Sequence, residues 1–441
     1  MRYRLLETIR QYGLERLRES GEESDLRRRH RDYYRMFAAR ARSQLSSPTE
    51  VEWYSRLEDE HPNLRTALEF CFSETGEAEV GLSMASDLLW HWITRYYFHE
   101  GRWWLGQGLS TVTEAGEVRA RALACAALLA VIQGEISSGE AMLTESRAIG
   151  ESLGLDTVLA YVTYMSGIIA YDKGEAESAT LLFETAAANH RRLGDHYGRA
   201  MALARLSVAL VSHDVERAIS TGEECVALCE ARGGGWINAF GKAALGIAVW
   251  RQGDARRAAV LAQESLDFNR SLNRAVLTGL DMELLAWTAA TEQRFDRAAT
   301  LLGALRNVWE AIGGRAILPI FGHLYEFHQR CEQRTREALG ERSFRTAVDR
   351  GAGLTYDEAV AYALEERGAE CKARDDVDRT SPLTRREMEI AHLVGQGMSN
   401  KEIASSLVIS QRTAEGHIER ILVKLGFNSR TQIAKWVGDR S

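Results

Sequence analysis

Side chains able to recognise a nucleic acid are concentrated between Gln411 and Leu425. Apolar residues recur in this segment at intervals of three and four, which predicts a helix with one buried face. Several of the remaining side chains can donate hydrogen bonds to phosphate oxygens or pair with the edges of bases. The residues left free to face outward are Arg412, Thr413, Glu415, Gly416, His417, Glu419, Arg420 and Lys424. Recognition of this kind requires that neighbouring elements hold the helix in a fixed position.

Four short helices with their own start signals are predicted to provide that support. Thr384–Glu387, Ser399–Glu402 and Ser429–Gln432 have the spacing of capping boxes, in which a hydroxyl and a side chain three residues later cap a helix start. Ser410 can cap the remaining helix after a tight turn from Leu407. The predicted helices are 385–396, 400–407, 411–425 and 430–437, and the predicted buried residues are Ile390, Ala391, Val394, Ile403, Ala404, Leu407, Ala414, Ile418, Ile421 and Leu425. Two capped helices joined by a tight turn indicate a helix-turn-helix, which places its second helix in the major groove of DNA.

Residues 383–441 resemble the LuxR-type helix-turn-helix domain. The shared motifs are Leu383-Thr-Arg-Arg-Glu387, Gly397-Met-Ser-Asn400-Lys-Glu-Ile-Ala404, Leu407, Ser410-Gln-Arg-Thr413, His417 and Lys424-Leu425. The resemblance implies that the third helix is the recognition helix and that Thr413 and Lys424 bind phosphates of double-stranded DNA. The residues that would select bases are Arg412, Glu415, Gly416, His417 and Arg420. The residues with structural roles in the motif would be Asn400, Glu402, Ala404, Leu407 and Ser410.

The fourth helix commonly forms the homodimer contact in this family. In this chain Trp436 stands where small residues are usual. Two other interpretations of the segment stay open at this point: a small helical bundle without a DNA role, or a tail that mediates protein contacts within an adaptor.

The charge distribution separates this tail from the rest of the chain. Residues 383–441 contain nine Lys and Arg against six Asp and Glu, a net charge of +3. The whole chain carries −7, so the preceding 382 residues carry −10. A basic end on an acidic body is typical of a nucleic-acid-binding tail. The polar residues 367–382 predict a linker between the two parts.

Residues 116–366 are predicted to form a helical-repeat array. A turn landmark recurs at Gly134, Gly174, His213, Gly253 and Gln293, that is, about every 40 residues. An alanine recurs with the same period at positions 179, 218, 258 and 298. A glycine or asparagine ends each unit, at Gly154, Gly194, Gly233, Asn273 and Gly313. Each unit therefore predicts a pair of helices that must stack on its neighbours to bury its apolar faces. The array resembles tetratricopeptide-type repeats in a roughly 40-residue form, and further helices are expected to cap it.

The array has two functional interpretations. It can be a sensor or docking surface for a protein, peptide or small-molecule effector, which we favour, or a passive spacer. Four tryptophans bear on this choice, because they would either line a pocket or belong to the core. They are Trp236, Trp250, Trp287 and Trp309.

Residues 1–115 predict an N-terminal helical segment. A helix from about Asp25 should bury a stripe of Leu26, Tyr33, Phe37 and Ala41, while its arginines face solvent or the acidic body. The stretches Tyr3-Arg-Leu-Leu-Glu-Thr-Ile-Arg-Gln-Tyr-Gly-Leu-Glu-Arg-Leu and Trp53-Tyr-Ser-Arg-Leu-Glu-Asp-Glu-His-Pro-Asn-Leu-Arg-Thr-Ala-Leu resemble the end of the ATP-binding module of large LuxR-type regulators. The resemblance implies that this chain begins where such an ATPase would end, and it leaves open whether Met1 is the true start.

No pattern in the sequence predicts catalysis, a cofactor or a metal site. The nearest match to a P-loop runs from Gly235 to Ala243, but it has one residue too many and lacks the final hydroxyl. Cys225 and Cys229 could share a helix face as a redox pair or half a metal site, although we expect them to be core residues. The sequence shows neither a membrane span nor a signal peptide, so the default location is the cytoplasm.

Scarce proline, absent strand alternation and abundant Ala, Leu, Glu and Arg predict an all-α protein. We therefore expect a tetratricopeptide-like solenoid followed by a four-helix, LuxR-type helix-turn-helix domain that binds DNA without being an enzyme.

Overall fold

The chain is all-α over the part that the computed structural model describes, as the sequence predicts. That part comprises residues 7–44, 47–272, 277–311, 324–365, 385–395 and 398–407, with six single positions: 418, 421, 422, 430, 432 and 433. The chain forms two units, Met1–Ala373 and Arg374–Ser441. The boundary between them falls inside residues 367–382, the predicted linker, which lie outside the described residues. Within the described residues, no helix is long and apolar enough to cross a membrane.

The first unit contains nineteen described helices. Six precede the repeats: α1 (Glu7–Ser20), α2 (Glu23–Ser43), α3 (Glu50–Ser73), α4 (Ala78–Asp87), α5 (Leu89–Thr94) and α6 (Phe98–Thr111). Ten follow as pairs: α7 (Glu117–Ile132) with α8 (Ile136–Leu153), α9 (Asp156–Asp172) with α10 (Ala176–Arg192), α11 (His196–Leu210) with α12 (Val215–Glu230), α13 (Trp236–Gln252) with α14 (Ala255–Ser271), and α15 (Thr278–Thr291) with α16 (Phe295–Ala311). The last three are α17 (Leu324–Leu339), α18 (Glu341–Ala352) and α19 (Tyr356–Ala363).

The turn landmarks lie between the two helices of each pair. Gly134, Gly174 and Gly253 have φ values of 83°, 80° and 111°, and Gln293 has 63°. This left-handed conformation suits glycine because it has no Cβ. The turn before α12 has no glycine, and Asp214 instead caps the helix by accepting a hydrogen bond from the Arg217 amide at 3.1 Å.

The alanine landmarks lie where the paired helices approach each other. Ala179, Ala218, Ala258 and Ala298 are all fully buried. Gly139 holds the corresponding position in α8, and a Cβ there would lie 2.7 Å from the Cγ2 of Val131 in α7. A small residue is therefore required where the two helices of a pair come closest.

The helices after the last pair close one end of the array. Arg297 of α16 donates to the carbonyl oxygens of Tyr362 at 3.0 Å and of Ala363 at 2.8 Å. These carbonyls belong to the last turn of α19, where a helix leaves its carbonyls without regular intrahelical partners, and the Tyr362 carbonyl also accepts from the Glu365 amide at 3.2 Å. Gly303 and Gly351 let α16 and α18 pack backbone to backbone, because a Cβ on either would overlap a carbonyl of the other helix.

The apolar stripe predicted for α2 is partly wrong. Phe37 and Ala41 are buried as expected, but Leu26 and Tyr33 are 43% and 55% exposed. The buried face lies one position further along and includes Tyr34 and Ala38. The reason is tertiary: Arg31 is buried on this face and pairs with Glu77, next to α4. The expectation that arginines of α2 meet acidic residues of the body is confirmed at Arg31 and at Arg42, which lies 3.2 Å from Asp87.

The N-terminal helices contact helices of the later repeats. The ring of Trp90 lies 5.6 Å from that of Tyr197 and 5.4 Å from that of Trp236, centroid to centroid. The Glu50 carboxylate accepts a hydrogen bond from the Trp236 amide at 2.9 Å, and Arg95 donates to the Leu272 carbonyl at 3.0 Å. The N-terminal helices therefore cover the starts of α11 and α13.

The tryptophans of the array belong to its core. Trp236 and Trp287 are buried, and Trp250 and Trp309 pack against the same cluster. The indole N–H of Trp250 donates to the Thr291 hydroxyl at 2.9 Å. The core interpretation is thus the correct one for these side chains.

Cys225 and Cys229 are buried, unbonded core residues of α12, as expected. The Cys225 thiol donates to the Ala200 carbonyl at 3.3 Å, and its pKa is raised by the neighbouring Cys229 thiol and by burial. Within the described part of the chain, no cluster of His, Cys, Asp and Glu is placed to hold a metal ion.

The segment that resembles a P-loop is helical. It opens α13 instead of following a strand, and Lys242 pairs with Glu264 at 2.6 Å. A lysine held by a carboxylate on a helix surface is not arranged to cradle phosphates, which require a loop with inward-facing amides.

A buried acid lies between α14 and α15. Asp281 is fully buried, and the Asn269 amide donates to its Oδ2 at 2.7 Å. Burial raises the pKa of Asp281 well above its usual value, despite hydrogen bonds from Ser265 and Asn269. The side chain is therefore protonated over a pH range in which the unfolded chain would be ionised.

We predict that Asp281→Asn removes a pH-dependent loss of stability. Because folding raises its pKa, the stabilising contribution of Asp281 is fully present below about pH 4, where the unfolded acid is also protonated, and is lost as the pH rises through the folded pKa. The loss amounts to about 1.4 kcal/mol for each unit by which folding raises the pKa. Asparagine carries no proton to lose, so urea denaturation midpoints at pH 5 and pH 8 should differ less in the variant.

The matched control is Asp267→Asn, an exposed position on the same helix α14. It should leave the pH dependence of the wild type unchanged. Equal pH dependence in Asp281→Asn and the wild type would show that Asp281 is ionised in the folded protein.

Candidate nucleic-acid interface

The second unit contains two described helices and four further helical stretches of one or two described residues. Its helices are α20 (Arg385–Gly395) and α21 (Asn400–Leu407). Residues 418, 421, 422, 430, 432 and 433 are also helical, within the ranges predicted for the third and fourth helices. The prediction of 400–407 for the second helix is confirmed.

One apolar core joins these elements. Its buried residues are Ile390, Ala391, Val394, Ile403, Ala404, Ile418, Ile421 and Ile433. The first seven belong to the core predicted from the sequence, so that prediction is confirmed wherever the side chain is described. Ile433 was not among the core residues predicted from the sequence.

The capping box at the start of α21 is present. The Glu402 amide donates to the Ser399 hydroxyl at 3.3 Å, and the Ser399 amide donates to Glu402 Oε2 at 2.7 Å. These hydrogen bonds lower the pKa of Glu402, because the carboxylate accepts from both the amide and the hydroxyl of Ser399. The box satisfies amides that the first turn of a helix leaves without partners.

Arg430 connects the fourth helical stretch to the turn before α21. Its guanidinium donates to Asn400 Oδ1 at 2.6 Å and to the Met398 carbonyl oxygen. Met398 in turn donates its amide to the Leu393 carbonyl at 3.2 Å. The turn is thereby held from both sides, and the sequence motifs gave no signal of this contact because its partners are 30 residues apart.

The predicted structural residues fall into two groups. Asn400 and Glu402 make the polar contacts just described, and Ala404 is buried in the core. The Leu407 side chain and Ser410 lie outside the described residues, as do the predicted capping boxes at Thr384 and Ser429.

The residues predicted to contact DNA all lie outside the described residues. They are Arg412, Thr413, Glu415, Gly416, His417, Arg420 and Lys424. The described residues of the same helix, Ile418 and Ile421, are 7% and 0% exposed, which fixes the face that packs inward.

Comparison with known proteins agrees with this architecture. Residues 381–437 match the family of bacterial regulatory proteins described as the luxR family. Over 98% of its length, the chain is 25% identical to proteins named as HTH-type transcriptional regulators in Mycobacterium bovis and Mycobacterium tuberculosis strain H37Rv. The chain spans 66% of the length of those relatives.

Shorter matches involve two other regulators. The nitrate/nitrite response regulator protein NarP of Escherichia coli K12 is 44% identical over 78 residues, which are 17% of this chain and 34% of NarP. The oxygen regulatory protein NreC of Staphylococcus aureus strain JH9 is 38% identical over 88 residues, which are 19% of this chain and 41% of NreC. With the capped helix and the apolar core, the family match shows that residues 381–437 of this chain form a helix-turn-helix domain of the bacterial luxR family.

Proposed function

We propose that the protein is a transcriptional regulator that binds promoter DNA through residues 383–441. The observation that carries this proposal is the family match over 381–437, together with a core that fixes the orientation of the third helix. A helix-turn-helix reads sequence by inserting that helix into the major groove. Binding to chromosomal promoters in a bacterium would take place in the cytoplasm.

The recognition helix would divide its contacts by chemistry. Thr413 and Lys424 would hold phosphates, which fix the orientation of the domain on DNA. The remaining outward residues would select bases: Arg412, Glu415, Gly416, His417 and Arg420. Arginine pairs with guanine and glutamate accepts from cytosine, and glycine lets the helix backbone come close to the DNA.

A homodimer on DNA is the expected binding form. Two domains related by a twofold axis would occupy half-sites one helical turn apart. The fourth helix would form the contact between them. Its Ile433 is buried in the domain's own core, so the dimer contact would use other residues of this helix.

The helical array would act as the sensor or docking region. The N-terminal helices already cover the starts of α11 and α13, so a protein, peptide or small-molecule effector would bind elsewhere or displace them. The charge of −10 on residues 1–382 would repel DNA, so affinity would depend on the tail and fall steeply with salt. The proposed role requires no catalytic step.

We predict that Lys424→Ala weakens binding to specific and random DNA alike. Loss of one phosphate contact should lower the slope of log affinity against log salt by about one. Fluorescence anisotropy of the full chain with both duplexes measures this. Lys173→Ala in the array is the control and should bind DNA as the wild type does. If Lys424→Ala shows no loss of DNA affinity, in anisotropy or in mobility shifts, the phosphate role is refuted.

We predict that Glu415→Gln and Arg420→Ala change sequence preference. Each should cost about 1–3 kcal/mol at the preferred site, because a lost base contact affects only the matching sequence. Binding to random DNA should change little. Selection of binding sites from a random DNA library measures the preference, with His392→Ala on α20 as the control. If Glu415→Gln and Arg420→Ala select the same sites as the wild type, the assignment is contradicted.

We predict that Ser399→Ala loosens the start of α21 and weakens binding to specific DNA. Loss of the cap hydroxyl should cost about 1 kcal/mol, so amide hydrogen exchange in α21 should accelerate about fivefold. Thr355→Ala is the matched control, because Thr355 forms the same capping box at α19 with Glu358. It should accelerate exchange in α19 alone, and unchanged exchange in α21 of the Ser399 variant would count against the cap.

A further inference from the structure

Arg430 determines which way the Asn400 side chain is turned. A guanidinium has only N–H donors, so the group facing it at 2.6 Å must be the amide oxygen of Asn400. The two sides of an asparagine amide are opposite in chemistry, one accepting and the other donating. The NH₂ group of Asn400 therefore faces away from Arg430.

The described residues of the turn form no hydrogen bond with this NH₂ group. Ser399 and Glu402 satisfy each other in the capping box, and the Met398 carbonyl accepts from Arg430. Among the described residues, the recorded hydrogen bond of the Asn400 side chain is the one that its Oδ1 accepts from Arg430. The Asn400 side chain is half-buried, so its donor side remains accessible.

The position of Asn400 in the motif gives this donor a use. Asn400 is the first residue of α21, the first helix of the helix-turn-helix, and that helix crosses the DNA backbone. Asparagine side chains are frequent donors to phosphate oxygens. Because Oδ1 already accepts from a cation, the amide is polarised and its N–H groups are stronger donors.

We propose that Asn400 contacts a DNA phosphate through its side-chain NH₂ group and that Arg430 is the positioning residue that turns this group toward the DNA. The inference rests on the proposed DNA-binding function and deepens it. The sequence assigns Asn400 a structural role only. The two roles belong to opposite sides of one amide: the oxygen holds the turn, and the nitrogen binds DNA.

Asn400→Asp separates the two roles. Aspartate keeps an acceptor for Arg430, so the turn stays in place and the thermal unfolding midpoint of the full chain should be unchanged or higher. It lacks both N–H donors and places a negative charge toward the phosphate. Affinity should fall about tenfold or more, because hydrogen bonds to charged groups contribute about 1.5–3 kcal/mol. The loss should be equal on a duplex selected by the wild type and on a random duplex.

His392→Glu is the charge-matched control. It adds one negative charge at an exposed position of α20 and should lower affinity less than Asn400→Asp. If the two variants bind alike while the wild type binds DNA, Asn400 is structural only and the inference is overturned. If the wild type itself binds neither duplex, the DNA-binding function fails, and the inference fails with it.

Variants of Arg430 test the positioning role. Arg430→Ala frees the amide to rotate, and binding should weaken on both duplexes. Arg430→Lys restores a donor to Asn400 and should recover part of the affinity. The same two Arg430 variants are then compared in a chain that also carries Asn400→Asp. If Arg430 acts only through its charge, Arg430→Lys should bind DNA more tightly than Arg430→Ala in this background too. If Arg430 positions the amide, the two should bind alike, because the aspartate side chain has no amide to orient. Recovery in that background would overturn the positioning role.

Discussion

The array depends on one packing constraint, the close approach of two helices at a single small residue. Fully buried alanines occupy this point in four pairs, and Gly139 occupies it in the first. A larger side chain would separate the helices, and the displacement would pass to the next pair because each repeat packs against its neighbours. The left-handed turns before α8, α10, α14 and α16 bring the second helix back at the required angle. The spacing of about 40 residues is the combined length of the two helices and the turns of each pair.

The DNA-binding domain depends on a much smaller core supported by polar contacts. Eight of its described residues are buried together in that core. The capping box at Ser399 and the contacts of Arg430 fix the turn before α21 at both ends. The described part of the recognition helix presents Ile418 and Ile421 to the same core. The orientation of the helix that would read DNA is therefore coupled to the packing of all four segments.

Several features of the sequence suggested chemistry that the fold does not support. Cys225 and Cys229 share a helix face but are free cysteines buried in the core, with no disulfide bond between them. The segment from Gly235 has glycines and a lysine at nearly the spacing of a P-loop, but it opens a helix, and Lys242 pairs with Glu264. Local spacing can imitate a site, but a site also requires the backbone conformation that turns its groups toward a ligand.

The sequence by itself determined the helical class, the repeat period, the buried alanines, and most of the described core and one cap of the helix-turn-helix, because each leaves a pattern of residue type and spacing within single helices and turns. The choice of DNA-contacting residues in the recognition helix rests on the resemblance to the LuxR-type domain and stays a prediction. Only the tertiary structure decided which face of α2 is buried. It alone decided that Trp90 packs against Tyr197 and that Glu50 accepts from Trp236. The contact between Arg430 and Asn400 is of the same kind. Those contacts join residues far apart in sequence, and their partners are chosen by packing, which periodicity and spacing do not encode.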